Sequence, residues 1–292
     1  MKAKTLRVKR AGRPRPLTHV MLFLLGALLL LPVILTFLYS FFSPAEIAEH
    51  LSGRGALDQA KWMQVLLVPR MASLSQYYQV MLGDTGILQR FVLSVFYTFC
   101  VLFGQALIIP AMAYALSSFR FKGRDAIFLL LILLMLLPFQ VTMAPNVLML
   151  RTMNLLNTVW AVILPMWFMP FYVFLLRQYM TGISRELYEA GQLDGTGAVH
   201  CFFHITLPLC KPVIGAAAAL SFADVWNMVE QPMTFLSSRD DLQPLSTVFN
   251  RLISAPQGIE FAGAAIYILP ALFVYLFFLE DVVSGIQLTE LK

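Results

Sequence analysis

The stretch ELYEAGQLDGTGAVHCFFHITLPL, from Glu186 to Leu209, places a polar segment between two long apolar runs. It carries three carboxylates, three glycines and a proline in a chain that is 59% hydrophobic and only 13% charged. A soluble domain usually has about 25% charged residues, so this composition is typical of a protein that lies in lipid. A polar hairpin kept in such a chain therefore indicates a role at the membrane surface.

Six segments are long and apolar enough to cross a hydrocarbon core, which takes about 20 helical residues. Only helices are expected, because a lone strand would leave backbone polar groups unsatisfied in lipid. The sequence therefore predicts an all-α polytopic membrane protein, with a basic arm at 1–16 and a transmembrane domain at 17–292. The predicted spans are about 17–42, 91–119, 126–150, 152–176, 212–232 and 261–279, and residues 177–211 form the longest inner loop.

The basic residues predict the orientation of these spans. Seven of the 21 Lys and Arg lie in the first 15 residues, ahead of the first apolar run. With the N-terminus inside, the inner segments carry 14 Lys and Arg and the longer outer segments carry 7. This bias predicts that both termini and the polar hairpin face the cytoplasm. It also accounts for the net charge of +5 without nucleic acid, and three separate cysteines indicate no disulfide framework.

The polar segment has the signals of two short helices joined by a turn. Ser184 is well placed to cap a helix that starts at Arg185, and Gly195 to end it. Thr196 is well placed to cap a second helix, which Pro208 is expected to break or kink before the fifth span. We call residues 184–209 the hairpin and expect it to project beyond the inner membrane surface.

Several kinds of chemistry lack their sequence signals. No GxxxxGK[ST] phosphate loop occurs, so the chain has no such cradle for ATP. A polytopic membrane enzyme would need a nucleophile–base set or an HExxH motif in its spans, and neither occurs. A secondary carrier usually shows matching broken helices in two halves, which the six segments do not. His200 and His204 lie four residues apart without a third ligand, so no metal site is predicted.

The spacing in the hairpin carries a resemblance to a known family. Glu189-Ala190-Gly191, three residues, Gly195, nine residues and then Ile205-Thr206-Leu207-Pro208 resembles the EAA loop of ABC-importer permeases, EAA-x3-G-x9-I-x-LP. Gly191 departs from the pattern, which usually has a second alanine there. Other stretches resemble the maltose-type carbohydrate-uptake branch: SFFSPAEI (40–47), SLSQYYQVM (73–81), AYALSSFRFKGRDAIF (113–128), LNTVWAVILP (156–165), FLLRQYMTGISRELYEA (174–190) and WN (226–227).

This resemblance implies the type I ABC-importer permease fold, a location in the cytoplasmic membrane and a non-catalytic role. ATP and Mg²⁺ would bind to a separate ATPase dimer, and this chain would hold no cofactor itself. The hairpin would insert into the ATPase, and its contact residues would be Leu187, Glu189, Ala190, Gly191, Leu193, Asp194, Gly195 and Pro208. Further implied partners are a second permease subunit, membrane lipid and an extracytoplasmic solute-binding protein, for which the outer segments 43–90 and 233–260 are large enough.

The fifth span carries the candidate solute-contact residues. Asp224, Asn227 and Glu230 lie at i, i+3 and i+6, on one arc of a helix, and Trp226 could offer a ring to a sugar. A charged residue deep in a membrane is costly unless it faces a cavity or a partner, so this arc is expected to look inward. Pairing with the second permease or a place at the outer interface are the alternatives. Met228 stands where the family usually has an acid. The expected solute is a sugar or oligosaccharide; a polyamine or phosphonate remains the alternative.

Overall fold

The structure is a computed structural model that describes residues 16–51, 68–83, 86–193, 195–248 and 259–282. In these ranges the chain forms helices, turns and bends, and no strand. The helices are α1 (Pro16–Tyr39), α2 (Pro44–Leu51), α3 (Ser75–Leu82), α4 (Ile87–Ser118), α5 (Arg124–Leu136), α6 (Phe139–Thr152), α7 (Val159–Met166), α8 (Pro170–Thr181), α9 (Arg185–Leu193), α10 (Ala198–Leu209), α11 (Lys211–Trp226), α12 (Glu230–Phe235) and α13 (Ile259–Phe277). The all-α prediction is therefore confirmed for the described part.

Four of these helices or helix pairs are long and apolar enough to cross a membrane: α1, α4, α7 with α8, and α13. The number rises to six if two bent pairs, α5 with α6 and α10 with α11, each count as one span. The predicted count of six lies at the upper end of this range. The chain divides into two compact units, one containing residues up to 79 with 256–265, the other containing 80–255 with the rest of α13.

In the first unit, a buried glutamine closes the end of α1. The Gln76 side chain donates to Tyr39 O at 2.9 Å and to Phe42 O at 2.7 Å. Tyr39 is the last residue of α1 and Phe42 lies in the turn after it, so these bonds hold the turn that follows α1. The Tyr39 ring packs against Phe42 and Phe261 at centroid distances of 5.1 and 5.2 Å.

In the second unit, α4 is the central helix and packs against α7, α8 and α11. A close contact lies at Gly104, where a Cβ atom would overlap the indole ring of Trp167. The Trp167 Nε1–H donates to Cys100 O, one turn earlier in α4, at 3.0 Å. The glycine is therefore required by packing, since any side chain would push the indole away from α4.

We expect Gly104→Ala to destabilise the protein, because overpacking of a close-packed site costs about 1–3 kcal/mol. The melting temperature of the purified complex in detergent should fall accordingly. Gly26→Ala is the matched control, because nothing lies within 4 Å of a Cβ at Gly26 in the middle of α1. Alanine is the better helix former there, so the control should melt at the same temperature or slightly higher. An unchanged melting temperature for Gly104→Ala would contradict the packing described above.

The predicted third span, 126–150, is divided between α5 and α6 in the structure. The helix axis turns by 108° between α5 and α6. Leu137 is extended (ψ 127°) because the following Pro138 crowds its backbone and excludes the helical conformation. The α10–α11 pair turns by 74° at Cys210.

The predicted fourth and fifth spans also differ from the structure. Helix α7 starts at Val159 rather than near residue 152, because Asn154 and Asn157 adopt left-handed conformations (φ 56° and 60°). Asparagine tolerates this conformation better than most residues. Helix α11 ends at Trp226 rather than near residue 232, and α12 is a separate short helix.

Candidate functional site

The first helix of the hairpin starts where the sequence predicts. Helix α9 begins at Arg185, and the Glu186 backbone N–H donates to the Ser184 hydroxyl at 3.3 Å. This is the arrangement of an N-cap, which satisfies one of the free N–H groups of the first turn. Glu189 and Ala190 lie in the middle of α9 and are exposed.

The turn after α9 is closed by a bond that the sequence did not predict. Gly195 has φ +75°, a left-handed conformation that favours glycine, as expected for a residue that ends a helix. Thr196, expected to cap the second helix, instead closes the first, since its hydroxyl donates to Gly191 O at 2.6 Å and its N–H to the same oxygen at 3.0 Å. Gly197 is the N-cap of α10 and supplies no side-chain bond. Asp194 lies outside the described residues.

Gly191 lies at a close contact between the two hairpin helices. A Cβ atom at this position would lie 3.0 Å from Thr196 Oγ1, 3.2 Å from Ile205 Cδ1 and 3.4 Å from Cys201 Sγ. The first two distances are shorter than ordinary van der Waals contacts. Glycine at this position therefore allows α9 and α10 to pack tightly around the turn.

The second helix was predicted to break or kink at Pro208; in the structure it runs through Pro208 to Leu209 and bends just after it. Helix α10 continues to Leu209 and contains a π turn over Phe202–Thr206, where the Leu207 N–H donates to Phe202 O five residues back. A proline removes one backbone donor and its ring crowds the preceding turn, and a widened turn accommodates both effects. The change of direction comes at Cys210 instead.

Two tyrosines attach the hairpin to the membrane helices. The Tyr114 hydroxyl, near the end of α4, donates to Ala198 O at 3.0 Å, and its ring lies 5.1 Å from that of Phe202. The Tyr188 hydroxyl lies 3.0 Å from the hydroxyl of buried Thr206, so it links α9 to α10. Both tyrosines pack on the core cluster that α4, α8 and α11 share. The hairpin is therefore held on the central helices of its unit.

The outer face of the hairpin is apolar and uncovered. Leu193 is 89% exposed, Val199 71%, Phe203 57% and Leu187 46%. Large apolar side chains exposed together, beside exposed Glu189, mark a surface that binds another protein or lipid.

The two histidines of the hairpin form no metal centre in the described part of the chain. The rings of His200 and His204 stack at 3.9 Å, and His204 Nδ1 lies 3.2 Å from His200 O. No group of three or more His, Cys, Asp and Glu side chains that could hold a metal ion occurs among the described residues.

The candidate solute-contact residues do not share one helix. Asp224 lies on α11, Asn227 follows its last residue, and Glu230 begins α12. The three polar side chains are nevertheless exposed, whereas Trp226 is only 2% exposed. Its indole stacks on Phe222 and donates to Tyr267 O at 3.1 Å, so the ring is not available to a solute.

Each exposed polar group has one partner on a neighbouring helix. The Tyr172 hydroxyl donates to Asp224 Oδ2 at 2.6 Å, and the Tyr267 hydroxyl lies 2.8 Å from Asn227 Oδ1. The Gln140 amide donates to the Glu230 carboxylate at 3.2 Å. These bonds fix the side chains but leave acceptor capacity, because a carboxylate can accept several hydrogen bonds.

A buried polar link between α4, α7 and α11 was missed at the sequence level. The Gln105 amide donates to Met166 O at 2.7 Å. In a continuous helix this carbonyl would accept a bond from the N–H of residue 170, but Pro170 has no N–H. Ser221 in α11 donates to the Gln105 side-chain oxygen. The signal was present: a glutamine in an uncharged apolar run must find a partner. A cleft of about 80 Å³, lined partly by Gln105 and Tyr172, lies beside this link.

The segment after α12, predicted to lie on the outer side, is bonded to α4. Arg90 forms an ion pair with Asp240 at 2.8 Å, the Tyr97 hydroxyl donates to Leu242 O at 3.1 Å, and the Leu245 N–H donates to Ser94 Oγ at 2.8 Å. Residues 249–258 of this segment lie outside the described part.

A second ion pair lies on the exposed side of this segment. Arg239 bonds both oxygens of Asp241, at 2.8 and 2.7 Å, and holds the pKa of that carboxyl below its usual value. Asp241 therefore stays charged at neutral pH and forms an exposed ion pair with Arg239.

Comparisons with known proteins agree with the family that the hairpin motif resembles. Residues 105–279 match the family described as binding-protein-dependent transport system inner membrane component. The chain is 31% identical over 232 residues to the arabinooligosaccharides transport system permease protein AraQ of Bacillus subtilis, covering 77% of this chain and 80% of that protein. It is 34% identical over 185 residues to AraQ of Halalkalibacterium halodurans, covering 62% of this chain and 66% of that protein.

A solved structure shares the fold. It is the crystal structure of a bacterial ABC transporter involved in the import of the acidic polysaccharide alginate, and the match has a TM-score of 0.74. The match covers 90% of this chain and 94% of the other at 23% identity. At this identity the likeness carries the fold alone.

Proposed function

Because the chain belongs to the family of binding-protein-dependent transport inner membrane components, we propose that it takes up a sugar or oligosaccharide by coupling to a separate ATPase through its hairpin. It is a permease subunit of a binding-protein-dependent ABC importer and a multi-pass protein of the cytoplasmic membrane. The cargo, the coupling and the particular contacts below are the proposal.

One observation carries the coupling: the hairpin has an uncovered face and is bonded to the central helices at its base. Leu193 and Glu189 are exposed on one side, while Tyr114 and Tyr188 fasten the other side to the core of the unit. Such an element transmits a movement of its partner as a rigid body. We propose that the ATPase dimer, which binds ATP and Mg²⁺, closes around this face and shifts the spans to the outward-facing state.

Each residue of the motif has a proposed role. Glu189 pairs with a basic group of the ATPase, and exposed Ala190 permits close approach. Leu187 and Leu193 fill apolar pockets of the ATPase, which explains their exposure here. Asp194 pairs within the same interface. Gly191, Gly195 and Pro208 shape the hairpin itself. The permease carries out no covalent chemistry in this scheme and holds no cofactor.

We propose that the transport path forms between this chain and a second permease subunit. Asp224, Asn227 and Glu230 are exposed in an otherwise apolar region, where an uncovered carboxylate is costly. We propose that they face the passage between the two subunits and accept hydrogen bonds from solute hydroxyls. Trp226 has no such role, because it is buried.

The outer surface is the proposed docking site for the solute-binding protein. The segment from Met233 to Val248 is fixed on α4 by the Arg90–Asp240 pair and two further bonds, so it presents a formed surface. The predicted topology places this surface on the outer side of the membrane and both termini on the inner side. The binding protein would release its solute there.

The carbohydrate assignment is drawn from the relatives, whose names refer to arabinooligosaccharides and, in the solved structure, to alginate. A cationic solute such as a polyamine is the second candidate, and the exposed carboxylates of Asp224 and Glu230 favour it. A phosphonate fits these carboxylates less well, since like charges repel.

The complex reconstituted with its binding protein distinguishes these solutes. We expect oligosaccharides to stimulate ATP hydrolysis and polyamines to have no effect. Asp224→Asn keeps a hydrogen-bond acceptor and removes the charge, so uptake of a sugar should change by less than about tenfold. Uptake of a cation should fall further, because the cation would lose its ion pair with Asp224. Stimulation by polyamines, abolished in Asp224→Asn, would contradict the carbohydrate assignment.

A further inference from the structure

A second feature of the unit lies outside the hairpin, where α5 packs against α8. The rings of Phe128 and Phe174 stack with centroids 5.8 Å apart and planes 9° from parallel. The Arg177 guanidinium lies over the Phe128 ring, with Cζ 3.9 Å from its centroid. Arg124, at the start of α5, and Asp125 are the charged groups close enough to act electrostatically on Arg177.

The guanidinium of Arg177 is held in place but only partly satisfied. Its Nε is buried and has no hydrogen-bond partner, and its Nη1 donates only to the side chain of adjacent Gln178, at 3.3 Å. Arg124 pairs with its exposed neighbour Asp125, at 2.9 Å. A buried guanidinium N–H without an acceptor is costly, so this site lacks an acceptor of complementary charge.

The surrounding residues indicate the level of this site relative to the membrane. After Arg124 and Asp125, α5 continues with eleven uncharged residues to Leu136, and α8 has seven uncharged residues before Arg177. Both helices therefore change from apolar to charged at the same end of the contact. Exposed leucines follow on α5: Leu129, Leu130 and Leu133. This boundary between an exposed apolar face and basic groups is where lipid headgroups lie.

We propose that Arg124 and Arg177 bind the phosphate of an anionic phospholipid in the inner leaflet, with an acyl chain along the exposed leucines of α5. An arginine presents several N–H donors in a planar fork that matches phosphate oxygens. The first turn of α5 adds the positive end of its helix dipole. Arg120 and Lys122, exposed on the preceding turn, make the surroundings basic, and Asp125 is the opposing charge that a phosphate must compete with. The inner-leaflet assignment rests on the predicted cytoplasmic side of this turn.

The test is lipid retention by the intact transporter complex in nanodiscs of equal parts phosphatidylcholine and phosphatidylglycerol, measured by native mass spectrometry after transfer to detergent. The wild type should retain phosphatidylglycerol in preference to phosphatidylcholine. Arg177→Gln should retain about fivefold less, the factor that corresponds to one basic side chain beside an anionic surface. Arg124→Gln should show a similar loss and provides a second reading if Arg177→Gln assembles poorly.

Arg151→Gln is the matched control, because Arg151 is an exposed arginine at the end of α6 that the predicted topology places on the outer side. Its retention of phosphatidylglycerol should equal that of the wild type. Equal retention of both lipids, or unchanged retention in Arg177→Gln and Arg124→Gln, would overturn the proposal. The proposal would also be overturned if inorganic phosphate stabilised the complex against heat as much as phosphatidylglycerol does, which indicates a site for a free anion. Loss of the ATPase from these variants with the lipid retained would overturn it too, because it indicates a contact with protein. Lipid retention does not depend on uptake, so the result is independent of the transported solute.

Discussion

Glu189→Lys should abolish ATP-driven uptake, since it reverses the charge at the centre of the exposed hairpin face. Loss of one partner of a buried charge pair across an interface costs about 2–5 kcal/mol, and the new lysine adds repulsion against a basic ATPase group. The affinity of the permease for the ATPase should therefore fall more than about thirtyfold. Co-purification of the ATPase and uptake in the same cells measure this effect.

Glu280→Lys is the matched control for this charge reversal. Glu280 is an exposed carboxylate just after α13, on the side that the predicted topology also assigns to the cytoplasm, but it lies outside the hairpin. It should leave uptake and co-purification unchanged. Normal uptake by Glu189→Lys, or an equal defect in Glu280→Lys, would refute the proposed contact between the hairpin and the ATPase.

The local signals in the hairpin were readable from the sequence because they depend on near neighbours. Ser184 caps α9, and Gly195 takes the left-handed turn, as predicted. Thr196 was assigned to the wrong helix, because a threonine between two helices can cap either one. Its side chain bonds Gly191 O because α9 and α10 pack closely at Gly191. No single residue in the sequence indicates that packing.

The exposure of the membrane residues depends on contacts between distant segments, which periodicity does not reveal. Trp226 is buried because Phe222 and Tyr267, 41 residues further on, enclose it. The prediction that Asp224, Asn227 and Glu230 lie on one arc assumed one continuous helix, whereas α11 ends at Trp226. Apolarity predicted where helices form, but not where they stop, because a stop within lipid depends on partners such as the Gln105 amide.

The second large effect is expected from Tyr114→Ala, which should separate ATP hydrolysis from uptake. Tyr114 is buried, its ring packs against Phe202 and Phe119 at 5.1 and 5.6 Å, and its hydroxyl bonds Ala198 O. Truncating a buried aromatic ring costs about 3–5 kcal/mol. The free energy lost exceeds the roughly 1–3 kcal/mol by which two coupled sites typically influence each other. The coupling should therefore be lost, and uptake per ATP hydrolysed should fall at least about fivefold. The ratio is measured in proteoliposomes with the loaded binding protein.

Two matched variants show whether this loss comes from the hairpin attachment. Tyr114→Phe keeps both ring contacts and loses one hydrogen bond worth about 1 kcal/mol, so most of the coupling should remain. Tyr275→Ala removes an exposed tyrosine ring from α13 and should leave the ratio unchanged. The exposed face of the hairpin is intact in all three variants, so the ATPase should co-purify with each. If Tyr114→Ala transports normally per ATP, or loses the ATPase altogether, then the base of the hairpin does not transmit the movement of the ATPase to α4.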